Sequence, residues 1–94
     1  MNEMNKLVVI LAKAGVEFEI GTFIVGGGST FQICSPSKKN CKVDAISHKY
    51  SYGGPEGLIE VLGTADEVNA PNDDVMGWLT AEEAAKYFFK GKTE

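Results

Sequence analysis

The hydrophobic period of this chain changes at Gly15. Before it, Met4, Leu7, Val8 and Leu11 recur at helical spacing. After it, Val16-Glu17-Phe18-Glu19-Ile20 alternates strictly, which is the period of a strand. No single element satisfies both periods, so the switch predicts a helix over residues 3–14 that packs on a sheet, with Gly15 as the left-handed residue closing the helix. Val9 and Ile10 widen the apolar face of that helix, as packing against a sheet requires. The alternation places Val16, Phe18 and Ile20 on one face of the first strand. Thr22-Phe23-Ile24-Val25 continues it, with a bulge as the means of passing Gly21.

Further strands follow at short intervals. Gly26-Gly27-Gly28-Ser29 reads as a hairpin turn. It is a poor phosphate cradle, because it has no GxGxxG spacing, no lysine–serine pair, and a strand rather than a helix after it. Thr30 to Cys34 is the second strand, and Ser35 to Asn40 is an exposed basic loop. Lys42 to His48 is the third, with Val43, Ala45 and Ser47 on one face and Asp44, Ile46 and His48 on the other. Leu58 to Leu62 is the fourth, Gly63 to Asp74 a polar loop carrying Pro71, and Val75 to Leu79 a short apolar connector. Thr80-Ala81-Glu82-Glu83 is a capping box that opens a last helix. Ala81, Ala84, Ala85 and Phe88 line one face of that helix, and Gly91 ends it. The order α-β-β-β-β-α predicts a single α+β domain over residues 1–94. Its expected form is a four-stranded, mainly antiparallel sheet with the N- and C-terminal helices packed on one face.

Composition excludes several function classes. Residues 1–49 carry six lysines against four acids, whereas residues 50–94 carry three lysines against nine acids. There is no arginine, the usual bidentate reader of phosphate and guanine, which argues against binding duplex nucleic acid. The acidic half reads either as a solvated surface or as a negative face for a basic partner, with Glu56, Glu60, Asp66, Glu67, Asp73 and Asp74 as its members. The longest apolar run, Leu7 to Ala12, is too short to span a bilayer, so no membrane association is expected. Asn2, Glu3 and Asn5 precede that run, with Lys6 the only early cation, which is not the pattern of a secretion signal. A soluble cytoplasmic protein is expected.

Cys34 and Cys41 flank Ser-Pro-Ser-Lys-Lys-Asn. In the cytosol they are expected as reduced thiols, able to meet across a hairpin and pair if oxidised. Only His48 adds a further nitrogen or sulfur ligand, and neither CxxC nor HxxxH spacing occurs, so no metal or other cofactor is expected.

The densest run is His48-Lys49-Tyr50-Ser51-Tyr52-Gly53-Gly54-Pro55-Glu56-Gly57. An enzyme reading fails here. Asp44 and His48, four apart on one strand, would lie about 13 Å apart, too far for a dyad. Ser47 and Ser51 sit on no nucleophile elbow, so no enzymatic activity is expected. A binding reading needs less. Tyr50, Tyr52 and Trp78 offer flat faces, His48 and Lys49 add polar contact and charge, and the amides of Gly53 and Gly54 can donate to an anion. Together these suit a small nucleotide-like ligand. The plainer alternative is that the tyrosines complete the edge of the core and the glycines turn the chain.

The N-terminal helix ending at Ala14-Gly15-Val16-Glu17-Phe18-Glu19, the stretch from Asp44 to Gly63, with His-Lys-x-Ser-Tyr-Gly-Gly and Gly-Leu-Ile-Glu at its centre, and Asp74 to Glu83 resemble small uncharacterised phage and prophage proteins of low-GC Gram-positive bacteria. The resemblance covers most of the chain outside residues 20–42. It names no activity or catalytic residue, but it implies an accessory protein working in the cytoplasm of a bacterial host. The leading expectation is a homo-oligomeric sponge that sequesters a nucleotide-like immune signal between protomers. The runner-up is an inhibitor that covers a host defence protein with its acidic face. The third is a phage component without a ligand.

Overall fold

The computed structural model describes residues 2–63 and 75–89. Helix α1 spans Glu3–Ala14. Asn2 caps it by accepting the Asn5 amide at 2.8 Å, and Gly15 ends it at φ 76°. Glu3 near its start and Lys13 near its end both oppose the helix dipole favourably. Met4, Leu7 and Leu11 form the buried stripe that the helical spacing requires.

Five strands follow: β1 Glu19–Val25, β2 Gly28–Pro36, β3 Cys41–Ile46, β4 Ile59–Gly63 and β5 Val75–Leu79. They pair antiparallel in chain order, so β1 and β5 are the two edges. The register sets Ile33, Ala45 and Val61 side by side on adjacent strands. These three, with Val43 and Ile59, are fully buried beneath Leu7, Leu11 and Phe88. Because successive strand side chains point to opposite faces, Cys34, Asp44 and Leu62 form a row on the face that the helices leave open.

The expected α+β class, antiparallel sheet and terminal helices are present; the expected count of four strands is corrected to five. Val75–Leu79, read as a connector, is the fifth strand and pairs with β4. Its five apolar residues show no alternation, so no strand period was visible. β1 starts at Glu19, later than the alternation suggested, and Val16 and Phe18 pack against the core from the segment before it. Gly21 pairs with Gln32 in unbroken register, so no bulge is needed there. The register shifts lie instead between Ser35 and Pro36 and between Ile59 and Val61. β3 stops at Ile46, because Ser47 turns to donate its hydroxyl to the Leu58 carbonyl at 2.8 Å. Gly63, expected to open the polar loop, is the last residue of β4, and the last helix ends at Phe88 rather than at Gly91, since Phe89 is extended. The rest of the expected loop, to Asp74, lies outside the described residues.

Helix α2, Ala81–Ala85, continues as a 3-10 turn over Lys86–Phe88. Five residues are far below the length at which a helix is stable alone, so capping and packing must hold it. The capping box is complete: Thr80 accepts the Glu83 amide and Glu83 accepts the Thr80 amide. A third amide, that of Ala81, is taken by Glu3 of α1 at 2.7 Å. That bond, joined by Lys6 at 3.1 Å on the other carboxylate oxygen, ties the two helices together at their N-termini. The Ala81 amide first, and Lys6 second, hold the Glu3 carboxyl below its ordinary pKa.

Glu3→Ala is expected to cost about 1 kcal/mol, the scale of one partly exposed hydrogen bond to a charged group. A lowered native pKa contributes stability above the unfolded pKa that is lost as pH falls through the native one. Urea unfolding of both proteins should therefore show a gap at neutral pH that closes in acid. A gap of constant size would contradict the role given to the carboxylate.

Candidate functional site

The segment between β3 and β4 is stitched by its own hydrogen bonds. Ser51 is buried, and its hydroxyl takes the His48 amide and donates to the His48 carbonyl, both at 2.9 Å. The Gly54 amide donates to the Ser51 carbonyl at 3.0 Å, and the Gly53 carbonyl accepts from Glu56 and Leu58. The amide of Gly54 is thus committed within the fold, and Gly53 is buried. Steric demand explains Gly54: a Cβ there would stand 1.7 Å from the His48 carbonyl oxygen.

The predicted ligand residues separate into two groups. His48, Lys49 and Tyr50 lean toward the β1–β2 hairpin. The His48 ring meets Phe23 edge-on at 5.9 Å and Tyr50 at 6.3 Å. Its Nδ1 accepts the Tyr50 amide at 3.1 Å. The Lys49 ammonium stands 5.5 Å from the Tyr50 ring centroid, a cation–π distance. Tyr52 turns the other way and stacks on Trp78 of β5, with centroids 5.6 Å apart and rings 3° from parallel. Since β1 and β5 are opposite edges of the sheet, the seven predicted residues do not converge on one point.

The Tyr52–Trp78 pair is the more constructed of the two. Between Ile59↔Leu79 and Val61↔Met76, β4 contributes only Glu60 while β5 contributes Gly77 and Trp78. This is a β-bulge, which bends an edge strand and re-aims a side chain. Trp78 accordingly takes φ 57°, a left-handed conformation that bulky residues rarely adopt. Its amide donates to the Tyr52 carbonyl at 3.2 Å, and the Tyr52 amide donates to the Glu60 carboxylate at 2.7 Å. Two glycines let the backbones close up. A Cβ on Gly53, itself at φ 88°, would lie 2.7 Å from the Trp78 Cα, and one on Gly77 would lie 2.3 Å from the Tyr52 Cβ. For all this fixing, the rings face solvent: Tyr52 is 54% and Trp78 59% exposed. Leu62 and Val75, register partners on the open face, are also exposed.

The open sheet face carries two shallow grooves. One of about 640 Å³ is lined by residues including Phe23, Gln32, Lys38 and His48. The other, about 660 Å³, is lined by residues including Cys34, Lys38, Cys41 and Leu62. Asp44 lines both and accepts a short hydrogen bond from Gln32 Nε2. Burial pushes the Asp44 carboxyl above its ordinary pKa; the Gln32 bond opposes this, and nearby Glu60 adds to it. Among the described residues no cluster of three or more histidine, cysteine or acidic side chains is arranged to hold a metal.

Sequence reasoning found Tyr52 and Trp78 but not their partnership, and it missed Glu60, Ser51 and Gly77, which position them. One signal was available: a lone glycine inside an apolar run marks a bulge or a close backbone approach. Compared with known protein families, curated proteins and solved structures, the chain matches none.

Two outcomes are expected. Gly77→Ala should cost about 1–3 kcal/mol, the scale of a displaced, strained backbone site. It should also remove the near-UV circular dichroism of the stacked rings, and an unchanged spectrum would contradict the packing described. Asp44→Asn keeps an acceptor for Gln32 but removes the ionisation. With a raised native pKa the folded state holds its proton longer than the unfolded chain, so native stability falls as pH rises through that window. The variant should therefore be the more stable protein above the window, with the difference closing as pH drops through it. Equal stability at neutral pH, read by urea melts, would count against the burial argument.

Proposed function

We propose that the protein is a non-enzymatic accessory protein of phage or prophage type that binds and blocks a basic protein of the bacterial host. The observation carrying this reading is the Tyr52–Trp78 pair, held in place by a bulge and two close-packed glycines yet left exposed. The stack recovers little stability by burial, since both rings face solvent. Rigid aromatics presented to solvent are the usual anchors of protein interfaces, and they accept arginine or lysine against their faces. Charge supports a basic partner, since residues 50–94 carry nine acids against three lysines. The resemblance to phage and prophage proteins supports a partner in host defence, met in the host cytoplasm. No described helix is long and apolar enough to cross a membrane.

A second reading is sequestration of a nucleotide-like immune signal. It is favoured by the Lys49–Tyr50 contact beside the groove lined by Phe23 and His48. Under it, a second copy of the chain completes the open groove around the ligand.

Both readings are tested in defence-carrying bacteria that express the protein during phage challenge. Under the first reading the wild type should restore plaques, and Tyr52→Ala and Trp78→Ala should each abolish restoration; under the second, Tyr50→Ala should abolish it instead. Ile24→Ser, on the opposite edge, should leave it intact. Native mass spectrometry of the protein from those cells then separates the mechanisms. A stoichiometric protein partner that dissociates at high salt supports the first reading, and a bound nucleotide supports the second. Full activity of both aromatic variants would overturn the role assigned to the pair.

A further inference from the structure

The β2–β3 hairpin holds two thiols that the aromatic pair does not use. Cys34 on β2 is 4% exposed, Cys41 at the start of β3 is exposed, and both are free. Their relation depends on the register shift. Ser35 pairs with Val43, but Pro36 pairs with Cys41, so Lys42 is an extra residue in β3. Without the shift, Cys41 would follow the alternation of Val43 and Ala45 onto the helix-covered face. A one-residue slip exchanges the faces of a strand, and here it brings Cys41 onto the open face with Cys34. Both then line the same groove. The Cys41 thiol curls back along β3 to donate to the Val43 carbonyl at 3.4 Å, toward Asp44, the register partner of Cys34.

We propose that Cys34 and Cys41 are a redox modification site, a dithiol that closes reversibly to an intramolecular disulfide with a low-molecular-weight disulfide such as oxidised glutathione as oxidant. Exposed Cys41 loses its proton to solvent and attacks one glutathione sulfur, forming a mixed disulfide and releasing one glutathione thiolate. Cys34 then loses its proton and displaces the second glutathione. Two protein thiols are oxidised and one glutathione disulfide is reduced to two thiols. The new bond closes a ring around Ser35 to Asn40. This fixes Lys38, whose amide donates to Glu19 of β1 at 2.8 Å and whose side chain borders both grooves.

The first step is slow at neutral pH. Partial desolvation of its sulfur in the groove, and then contact with Cys34, push the Cys41 thiol up to about 12, with Asp44 adding to the rise. The charged groups lining that groove are Asp44 and Lys42 of β3 and Lys38 of the connecting loop. Only the thiolate attacks, so the rate should climb about tenfold per pH unit through the neutral and mildly alkaline range.

The test is intact mass and thiol counting on the native protein incubated with oxidised glutathione, quenched by acid and alkylation. The expected result is a loss of about 2 Da with both alkylation sites, reversed by dithiothreitol. Cys34→Ser, or Cys34→Ala if the serine variant folds poorly, should stop at a stable glutathione adduct on Cys41. Starting from the Cys41–glutathione mixed disulfide, displacement by Cys34 should be at least about tenfold faster in the native protein than in the denatured chain. A stable glutathione adduct on the native wild type, or disulfide closure only after denaturation, would overturn the proposal, and the wild-type mass alone decides between them.

Discussion

Everything in this fold stands on one row of side chains across the sheet. Ile33, Ala45 and Val61 pair strand to strand, flanked by Val43 and Ile59, and all are sealed under Leu7, Leu11 and Phe88. Burying a side chain of this size contributes about 1.5–3 kcal/mol, and a slip of one residue in any strand would turn its share outward. The same row explains α2. A five-residue helix cannot persist alone, yet Ala81, Ala84, Ala85 and Phe88 complete the core cluster, and the Glu3 bond fixes where the helix begins.

With both helices committed to one face, the other is left uncovered among the described residues. There the demands of stability relax. Asp44 sits half-buried with a raised pKa, Lys38 arches over β1, and two thiols share a groove. The features that suggest interaction and chemistry therefore gather on the open face and at the β5 edge, where a solvated or strained group costs the core nothing.

At that edge the chain accepts strain. A left-handed tryptophan costs on the order of 1–3 kcal/mol, and the exposed Tyr52–Trp78 stack recovers little of it by burial. A bulge, a carboxylate on the Tyr52 amide and two glycines at close approach hold an arrangement that the core does not require. Such a set is better understood as a display surface than as packing, and Leu62 and Val75 are exposed on the open face beside it.

The sequence by itself determined the local elements: α1 with its Gly15 end, the alternating strands β1 to β4 within a few residues, and the capping box of α2 with its apolar face. Each follows from a period or a cap read among near neighbours in the chain. It also singled out His48, Tyr50, Tyr52 and Trp78 as aromatic and polar groups near turns. Only the tertiary structure decided that Val75–Leu79 is a strand, that Trp78 belongs with Tyr52 while His48 belongs with Phe23, and that a bulge brings Cys41 onto the face of Cys34. These outcomes turn on register between strands and on contacts such as Gly53 against Trp78, between residues far apart in sequence. Local propensity carries no term for such contacts; they are fixed only when burying the shared row selects one register over its neighbours.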